Sequence, residues 1–227
     1  MSANSLIPRK IWCFWTGRNE MSSARAECLA SMRENCGVPV EFMTWRQWLS
    51  RILPEDPLHK GFKYLSCIHK SDYLRCYFMH HFGGGYSDIK HIKKENNWRL
   101  CFDIMDAFPQ IQVIGQPEIM GGSPVNEFSS PESIASLISV CYFVCRPHSE
   151  FTTAWYGRMM ELMDKFLPVL ENHPATDVFG QNEGYPIPWA ALLGEPFHRT
   201  VMDFRSKNPD AVSSALQSGR DITKPWR

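Results

Sequence analysis

Four charged side chains between positions 72 and 90 are the part of this sequence that could carry out chemistry: Asp72, Arg75, Asp88 and Lys90. Asp72 and Arg75 are three residues apart, so they share one face if the segment is helical. Asp88 and Lys90 fall in a short extended segment, where alternation points both to one side, about 7 Å apart. A carboxylate that holds a hydroxyl group or a metal ion, with cations that meet a leaving diphosphate, suits group transfer from a nucleotide.

The same residues have a structural interpretation. Asp72 and Arg75 taken alone favour an internal salt bridge, because pairs with this spacing are common on helices. The three glycines at positions 83–85 shift the balance toward a ligand site, since they permit a sharp turn and the close approach of another group just before Asp88. The sequence thus predicts a site built from a helix, a glycine turn and the end of a strand.

The apolar pattern predicts the elements that must position these residues. Periodicity of 3.6 predicts helices over residues 23–35, 65–82 and 149–170, with Pro168 kinking or shortening the last. Apolar or alternating runs predict strands over residues 11–15, 38–43, 86–90, 111–114 and 137–145. Thr44 and Gln47 form a capping-box signature for a short helix that ends before Pro54.

This order of elements predicts the fold class and the domain organisation. A β-α-β-α opening favours an α/β protein. We expect one domain over residues 1–227. Beyond residue 172 the pattern predicts loop with one short helix over 187–193, and residues 205–227 are predicted to be a loosely attached tail.

Composition narrows the function classes. The 227 residues are 44% apolar, and Lys+Arg 24 balance Asp+Glu 24, which excludes a disordered chain and disfavours a nucleic-acid partner. No stretch approaches the roughly 20 apolar residues that would span a bilayer. The eight cysteines are dispersed without a CxxC pair, so we expect reduced, mostly buried thiols in a cytoplasmic protein.

Two further groups are weaker candidates. Cys76, His80 and His81 have partial metal-ligand spacing, but a zinc site needs further ligands, and a packed helix with surface imidazoles is the favoured interpretation. Asn182 and Trp189 lie in a loop-rich segment where contacts with an acceptor substrate are expected.

Three segments together resemble a known family. Residues 7–12, 70–75 and 83–90 read IPRKIW, KSDYLR and GGGYSDIK, and residues 184–189 read GYPIPW. In this order they resemble the sugar-binding region of GT-A glycosyltransferases that carry a DXD motif. They are most similar to enzymes of the capsular-polysaccharide-synthesis type and to a chlorella-virus glycosyltransferase domain. A more distant similarity is to yeast initiating mannosyltransferases and to the glucosylating clostridial toxins.

The resemblance implies a GT-A-like α/β fold, with a mixed, mostly parallel sheet flanked by helices, and a role for each matching residue. The nucleotide of the donor is expected over the first strand, with Trp12, Phe14 and Trp15 nearby, although Trp12 fits core packing equally well. Asp72 and Arg75 would bind sugar hydroxyls and diphosphate, beside the turn that contains Gly84, Gly85 and Tyr86. Asp88 would be the first carboxylate of the motif and a ligand of Mn²⁺ or Mg²⁺.

This sequence departs from the family pattern at one position. Lys90 stands where the second carboxylate belongs, and a lysine supplies no oxygen ligand to a hard divalent ion. We expect Asp88 to be the main protein ligand of the ion, together with the diphosphate and water; the alternative is that Lys90 itself neutralises the leaving group. The catalytic candidates are therefore Asp88, Lys90 and Arg75.

The activity that the resemblance implies is transfer of a hexose from a nucleotide sugar, with a UDP-hexose as the expected donor. The acceptor would be a hydroxyl of a glycan or a protein, and the anomeric configuration would be retained. Polysaccharide biosynthesis and modification of a host protein by an effector both remain open. A different class also remains open, namely a catalytically idle domain that binds a nucleotide sugar or a glycan.

Overall fold

The structure, a computed structural model, describes residues 7–119 and 128–224. Within these residues, six strands form one sheet: β1 (Ile11–Phe14), β2 (Val40–Met43), β3 (Gly84–Ser87), β4 (Val113–Pro117), β5 (Ile138–Cys145) and β6 (Val212–Ser213). Their order is β2-β1-β3-β5-β4-β6. β5 pairs antiparallel with both neighbours and the remaining pairs are parallel. The prediction of a mixed, mostly parallel sheet is confirmed.

Helices cover both faces of this sheet, as predicted. They are α1 (Ser23–Asn35), α2 (Trp45–Leu49), α3 (Cys67–His81), α4 (Trp98–Ala107), α5 (Pro131–Ala135), α6 (Glu150–Leu170) and α7 (Gly194–Lys207). α1 and α4 pack on one face, whereas α3, α6 and α7 pack on the other. Among the described residues, no helix combines the length and the apolar character needed to cross a bilayer.

β1 lies in the interior of the sheet and packs against apolar side chains on both faces. Trp12 and Phe14 pack into the core under α3, and Ile11 and Cys13 pack into the core under α1 and α4. A strand that alternates between two apolar layers must be apolar at every position, which is the pattern read from the sequence. The eight cysteines form no disulfide and six of them are buried, so the prediction of mostly buried thiols is also confirmed.

α3 positions the charged residues, and it is buried on two opposite sides. Ser66 caps its start by accepting a hydrogen bond from the His69 amide. Leu74 and Phe78 are fully buried on one side, and Asp72 and Arg75 are buried as well. The helix ends in the glycine turn, where Gly83 has a φ of 64° and a Cβ would meet Pro147 Cδ at 2.4 Å. Glycine is needed there both for its backbone conformation and for the close contact.

The C-terminal part differs from the prediction of loop with a short helix at 187–193. A long helix, α7, begins after that segment and buries Phe197 and Val201. Gly194 and Pro196 make the start of this helix hard to recognise in the sequence. Neither residue is disruptive there, because the amide groups of the first turn make no intrahelical hydrogen bonds that could be lost. The helix lies against β5 and α6.

The prediction of a loosely attached tail over residues 205–227 is wrong for the described part of that segment. β6 pairs with β4, so that Val212 lies opposite Val113. Leu216 is fully buried, and the carbonyl of Ser218 accepts a hydrogen bond from Trp98 Nε1 at 3.2 Å. A segment with few apolar residues is held because its backbone completes the sheet edge.

Candidate functional site

Three of the predicted catalytic and binding side chains meet between α3 and the end of β3. The Arg75 guanidinium lies 3.3 Å from Asp88 Oδ1 and 3.5 Å from Asp72 Oδ1. The same guanidinium donates to the backbone carbonyl of Val140 on β5. The Tyr86 hydroxyl donates to Asp88 Oδ1 at 2.9 Å. Asp88 is therefore held by one cation and one hydroxyl group.

Asp88 owes its position to the sheet. It follows the last residue of β3, and its amide donates to the carbonyl of Cys141 on β5 at 3.1 Å. Burial raises the pKa of the Cys141 thiol, and the negative charge of Asp88 raises it further. Cys141 thus stays a neutral thiol beside the carboxylate. This neighbour was not predicted, because only the antiparallel register of β3 and β5 brings it there.

Asp72 is the buried carboxylate of the group. Its side chain is 6% exposed. Burial raises the pKa of Asp72 to about 7, with Arg75 opposing that shift and the negative charge of Asp88 adding to it. A carboxyl group that titrates near neutral pH can donate as well as accept a hydrogen bond.

Lys90 lies just beyond the strand and is 7% exposed. Burial lowers the pKa of Lys90 to about 8; Asp88 opposes this, and the positive charges of Arg25 and Arg220 add to it. Arg25 reaches across from α1 to donate to the Ile89 carbonyl at 2.6 Å. Lys90, Arg25 and Arg220 therefore concentrate positive charge near the partly exposed Asp88 carboxylate, which is an environment for an anion.

The residues around Asp88 do not fit a hard divalent cation. One of its oxygens is already shared by Arg75 and Tyr86, and the nearest predicted partner position carries Lys90. Within the described residues, Asp88 belongs to no cluster of three ligand-bearing acids, histidines or cysteines. Mn²⁺ and Mg²⁺ favour several oxygen ligands and net negative charge, whereas both carboxylates here are already paired with Arg75, and Lys90 adds a second cation.

The carboxyl ends of β1 and β2 extend the site with aromatic and cationic side chains that were not predicted. The guanidinium groups of Arg18 and Arg46 lie 5.4 and 5.2 Å from the centroid of the Trp45 ring. Thr16 Oγ1 donates to the Cys67 carbonyl at 2.6 Å, which joins the end of β1 to the start of α3. Burial lowers the pKa of Lys70 on α3, followed by smaller effects that include repulsion from Arg18.

The three aromatic residues of the first strand that were predicted to lie near the nucleotide differ in their exposure. Trp12 is 3% exposed, and its indole nitrogen donates to the Gly83 carbonyl at 2.8 Å, so the core interpretation of Trp12 is the one the structure supports. Phe14 is also buried and packs edge-on against Phe78 at 4.8 Å. Trp15 is partly exposed at the end of β1 and is the one of the three that a ligand could contact.

Gly84, Gly85 and Tyr86 are buried, and the two glycines pack tightly against atoms of the protein itself. A Cβ at Gly84 would lie 3.0 Å from the carbonyl oxygens of Pro8 and Lys10, so this glycine permits the close approach of another strand, not of a ligand. Tyr86 acts indirectly, through its hydrogen bond to Asp88.

The loop over residues 176–189 packs on the start of α3. The Tyr185 hydroxyl lies 2.8 Å from His69 Nδ1, and the Trp189 carbonyl lies 3.3 Å from His69 Nε2. The Asn182 side chain makes two hydrogen bonds within the loop. It accepts one from the Thr176 amide and donates one to the Pro174 carbonyl. These contacts give Asn182 a structural role in the loop, and its contact with an acceptor stays a prediction.

Trp189 keeps the surface position expected of a binding residue. It is 57% exposed and stacks on Phe179, which is 47% exposed, with ring centroids 6.4 Å apart. His69 lies one turn before Asp72 on α3, so this aromatic pair adjoins the charged network. This exposed, stacked pair is a candidate contact surface for a ligand.

Comparison with protein-family models, curated proteins and solved structures gives no match for this chain. The residues and the geometry described above are therefore the basis for assigning a function.

Proposed function

We propose that this protein is a GT-A-like glycosyltransferase that moves a hexose from a nucleotide sugar to a hydroxyl group of a glycan or a protein. The observation that carries the proposal is the Asp72, Arg75 and Asp88 network at the carboxyl end of β3, with Lys90 beside it. Ligands of α/β proteins bind outside the carboxyl ends of parallel strands, and β1, β2 and β3 end together there.

Each charged group has a role in the proposed reaction. Lys90 and the nearby guanidinium groups would neutralise the diphosphate as it leaves, which is the largest charge that develops. Asp88, whose Oδ1 is held by Tyr86 and Arg75, would accept a hydrogen bond from a donor hydroxyl. Asp72 would contact the sugar as a partly protonated carboxyl group.

The reaction would break the bond between the anomeric carbon and the diphosphate oxygen and form a bond from that carbon to the acceptor oxygen. The acceptor proton would pass to the departing phosphate oxygen. No side chain is assigned as a covalent nucleophile, so rate enhancement would come from positioning and leaving-group stabilisation. Retention of configuration, which the resemblance implies, is compatible with this scheme.

The proposed reaction does not depend on a divalent metal ion. Since the residues around Asp88 do not fit a divalent ion, we expect Lys90 to replace the metal of other DXD enzymes. UDP-hexoses are the first donors to test, because the resemblance implies them. The exposed Trp189 and Phe179 pair would hold the acceptor by stacking against its apolar face.

Slow donor hydrolysis tests the proposal. Purified protein is incubated with UDP-glucose, UDP-galactose, UDP-N-acetylglucosamine or GDP-mannose, in Mn²⁺ or in EDTA, and free nucleoside diphosphate is measured. We expect release from one donor at equal rates in Mn²⁺ and EDTA, and none with Asp88→Asn. Asp103→Asn, an exposed aspartate paired with Arg9, is the matched control. Release only in Mn²⁺ would contradict the role of Lys90.

A second function, donor binding without turnover, is favoured by one observation. Arg75 already contacts both carboxylates, so the charges of the network are paired without a ligand. Calorimetry that detects nucleotide-sugar binding, combined with no hydrolysis and no transfer to a panel of glycan and protein acceptors, would establish this idle-domain function.

A further inference from the structure

Three histidines converge at the opposite end of α3 from the Asp72 network. His80 and His81 are the last two residues of that helix, and His148 lies in the turn between β5 and α6. One ligand atom from each ring lies within 4.8 Å of the others. The sequence alone shows the first two, but His148 is far along the chain and only the fold adds it.

The backbone fixes this convergence. The His148 amide donates to the carbonyl of His80 at 2.8 Å. Among the described residues, His148 is the only one other than glycine with a positive φ, at 50°. An ordinary side chain in this region of backbone space is strained, and such strain concentrates at functional sites. The strained turn is what presents the His148 ring to α3.

The surroundings hold the rings as a metal site would. His80 stacks on Tyr156 with ring centroids 4.7 Å apart and planes 8° apart, and its Nδ1 is buried with no hydrogen-bond partner among the described residues. Asp56 Oδ2 lies 3.1 Å from His81 Nε2, and the Tyr156 hydroxyl lies 3.2 Å from Asp56 Oδ1. A carboxylate beside a ligand imidazole is the usual second contact that orients it.

We propose that His80, His81 and His148 bind one borderline-soft divalent metal ion such as Zn²⁺, with Asp56 orienting His81. Three imidazole nitrogens suit Zn²⁺, Co²⁺ or Ni²⁺ and not the hard ions Mn²⁺ or Mg²⁺. Zinc-to-nitrogen bonds are about 2.0 to 2.1 Å long, so small rotations of the rings would close the site around the ion. A water molecule would complete a tetrahedral set.

The site is independent of the proposed transferase function. Eight residues of α3 separate Asp72 from His80, which corresponds to about 12 Å along the helix. The ion would join the end of α3 to the start of α6 and to the loop that contains Asp56. Its expected effect is to stabilise this corner of the fold, and its loss is expected to leave the donor site intact.

Metal titration of the full chain tests the proposal. Protein stripped with EDTA is titrated with Zn²⁺ in a calorimeter at neutral pH, and with Co²⁺ in a spectrophotometer. We expect one Zn²⁺ per chain with micromolar or tighter affinity. The Co²⁺ complex should show d–d bands of a site with nitrogen ligands and no thiolate charge-transfer band. Zn²⁺ should also raise the melting temperature.

Two variants separate this site from adventitious binding. His148→Asn keeps a residue that tolerates positive φ and should weaken Zn²⁺ binding by about 10-fold or more. His173→Asn alters an exposed histidine elsewhere and should bind as the wild type does. Wild-type affinity in His148→Asn, a thiolate band that reveals cysteine ligands, or the absence of binding by the wild type would each overturn the proposal. Circular dichroism checks that both variants are folded.

Discussion

The Arg75 guanidinium carbon lies 4.0 Å from the centroid of the Tyr86 ring. The hydroxyl of the same ring donates to Asp88, so a single tyrosine contacts the cation through its face and the carboxylate through its edge. Arg75 belongs to α3 and Tyr86 to β3, and this contact couples the two elements. A buried aromatic ring therefore contacts both members of the Arg75–Asp88 ion pair.

Replacement of Tyr86 with phenylalanine separates these two contacts. Tyr86→Phe keeps the ring under Arg75 and removes only the hydrogen bond to Asp88. We expect the free energy of unfolding to fall by about 1 kcal/mol, measured by urea denaturation. Donor turnover should fall about tenfold, because Asp88 is no longer held in one orientation. Tyr142→Phe is the control, since that hydroxyl is buried without a hydrogen-bond partner among the described residues. Equal losses in both variants would refute this role of Tyr86.

Lys90 should make donor use depend on pH. Its pKa is lowered to about 8, chiefly by burial, so the cation that meets the diphosphate is present below that pH and is lost above it. We expect kcat/KM for the donor to fall as the pH rises from about 7 to about 9.

The matched variants for this prediction are Lys90→Met and Lys93→Met. Lys90→Met should lose most of the activity at neutral pH and flatten the pH profile. Lys93, half exposed and paired with Asp221, should be replaceable without either effect. A wild-type profile in Lys90→Met would show that another group titrates.

Asp72 should make stability depend on pH. Burial raises the pKa of Asp72 to about 7, above its ordinary value of 3.8, so the folded state favours the protonated form. The corresponding stability is fully present below the ordinary value and is lost as the pH rises through about 7. We expect the melting temperature of Asp72→Asn to exceed that of the wild type at pH 8, with loss of donor turnover. Asp103→Asn should follow the wild-type pH dependence, and higher stability of the wild type at pH 8 would contradict the prediction.

The exposed aromatic pair should act on the acceptor and not on the fold. Trp189→Ala and Phe179→Ala are expected to raise KM for the acceptor about tenfold or more while donor hydrolysis and melting temperature stay unchanged, since both rings are about half exposed. Phe108→Ala removes an aromatic ring of similar exposure elsewhere and is the control. An unchanged acceptor KM would place the acceptor on another surface.

Local signals were sufficient to predict much of the fold. The helix predicted over residues 23–35 has those bounds in the structure, because Ser22 caps its start and Gly37 follows its end in a left-handed conformation. The capping box of Thr44 and Gln47 also forms as predicted. α7 was missed because its first turn contains a glycine and a proline, which disrupt a helix only in its interior.

The candidate site was predictable only where its residues are close in the chain. Asp72 and Arg75 lie three residues apart on one helix, and a glycine turn and a short strand lead from that helix to Asp88. Helix periodicity and the short connection were therefore sufficient to predict that the three residues lie close together. Cys141 and His148 enter their clusters through strand pairing and a turn far along the chain, which no local pattern encodes. For Trp12 the sequence left core packing and nucleotide contact open, because a buried and a ligand-facing indole have the same sequence pattern, and the structure buries it.

The pairing of β6 with β4 has a consequence for synthesis on the ribosome. Val212 pairs with Val113, so β4 is translated long before the strand that covers its outer edge. Until then β4 presents unpaired amide and carbonyl groups, which are a template for pairing with another chain. The nascent protein is thus exposed to pairing with another chain from the synthesis of β4 until the synthesis of β6, an interval in which five of the six strands come to exist.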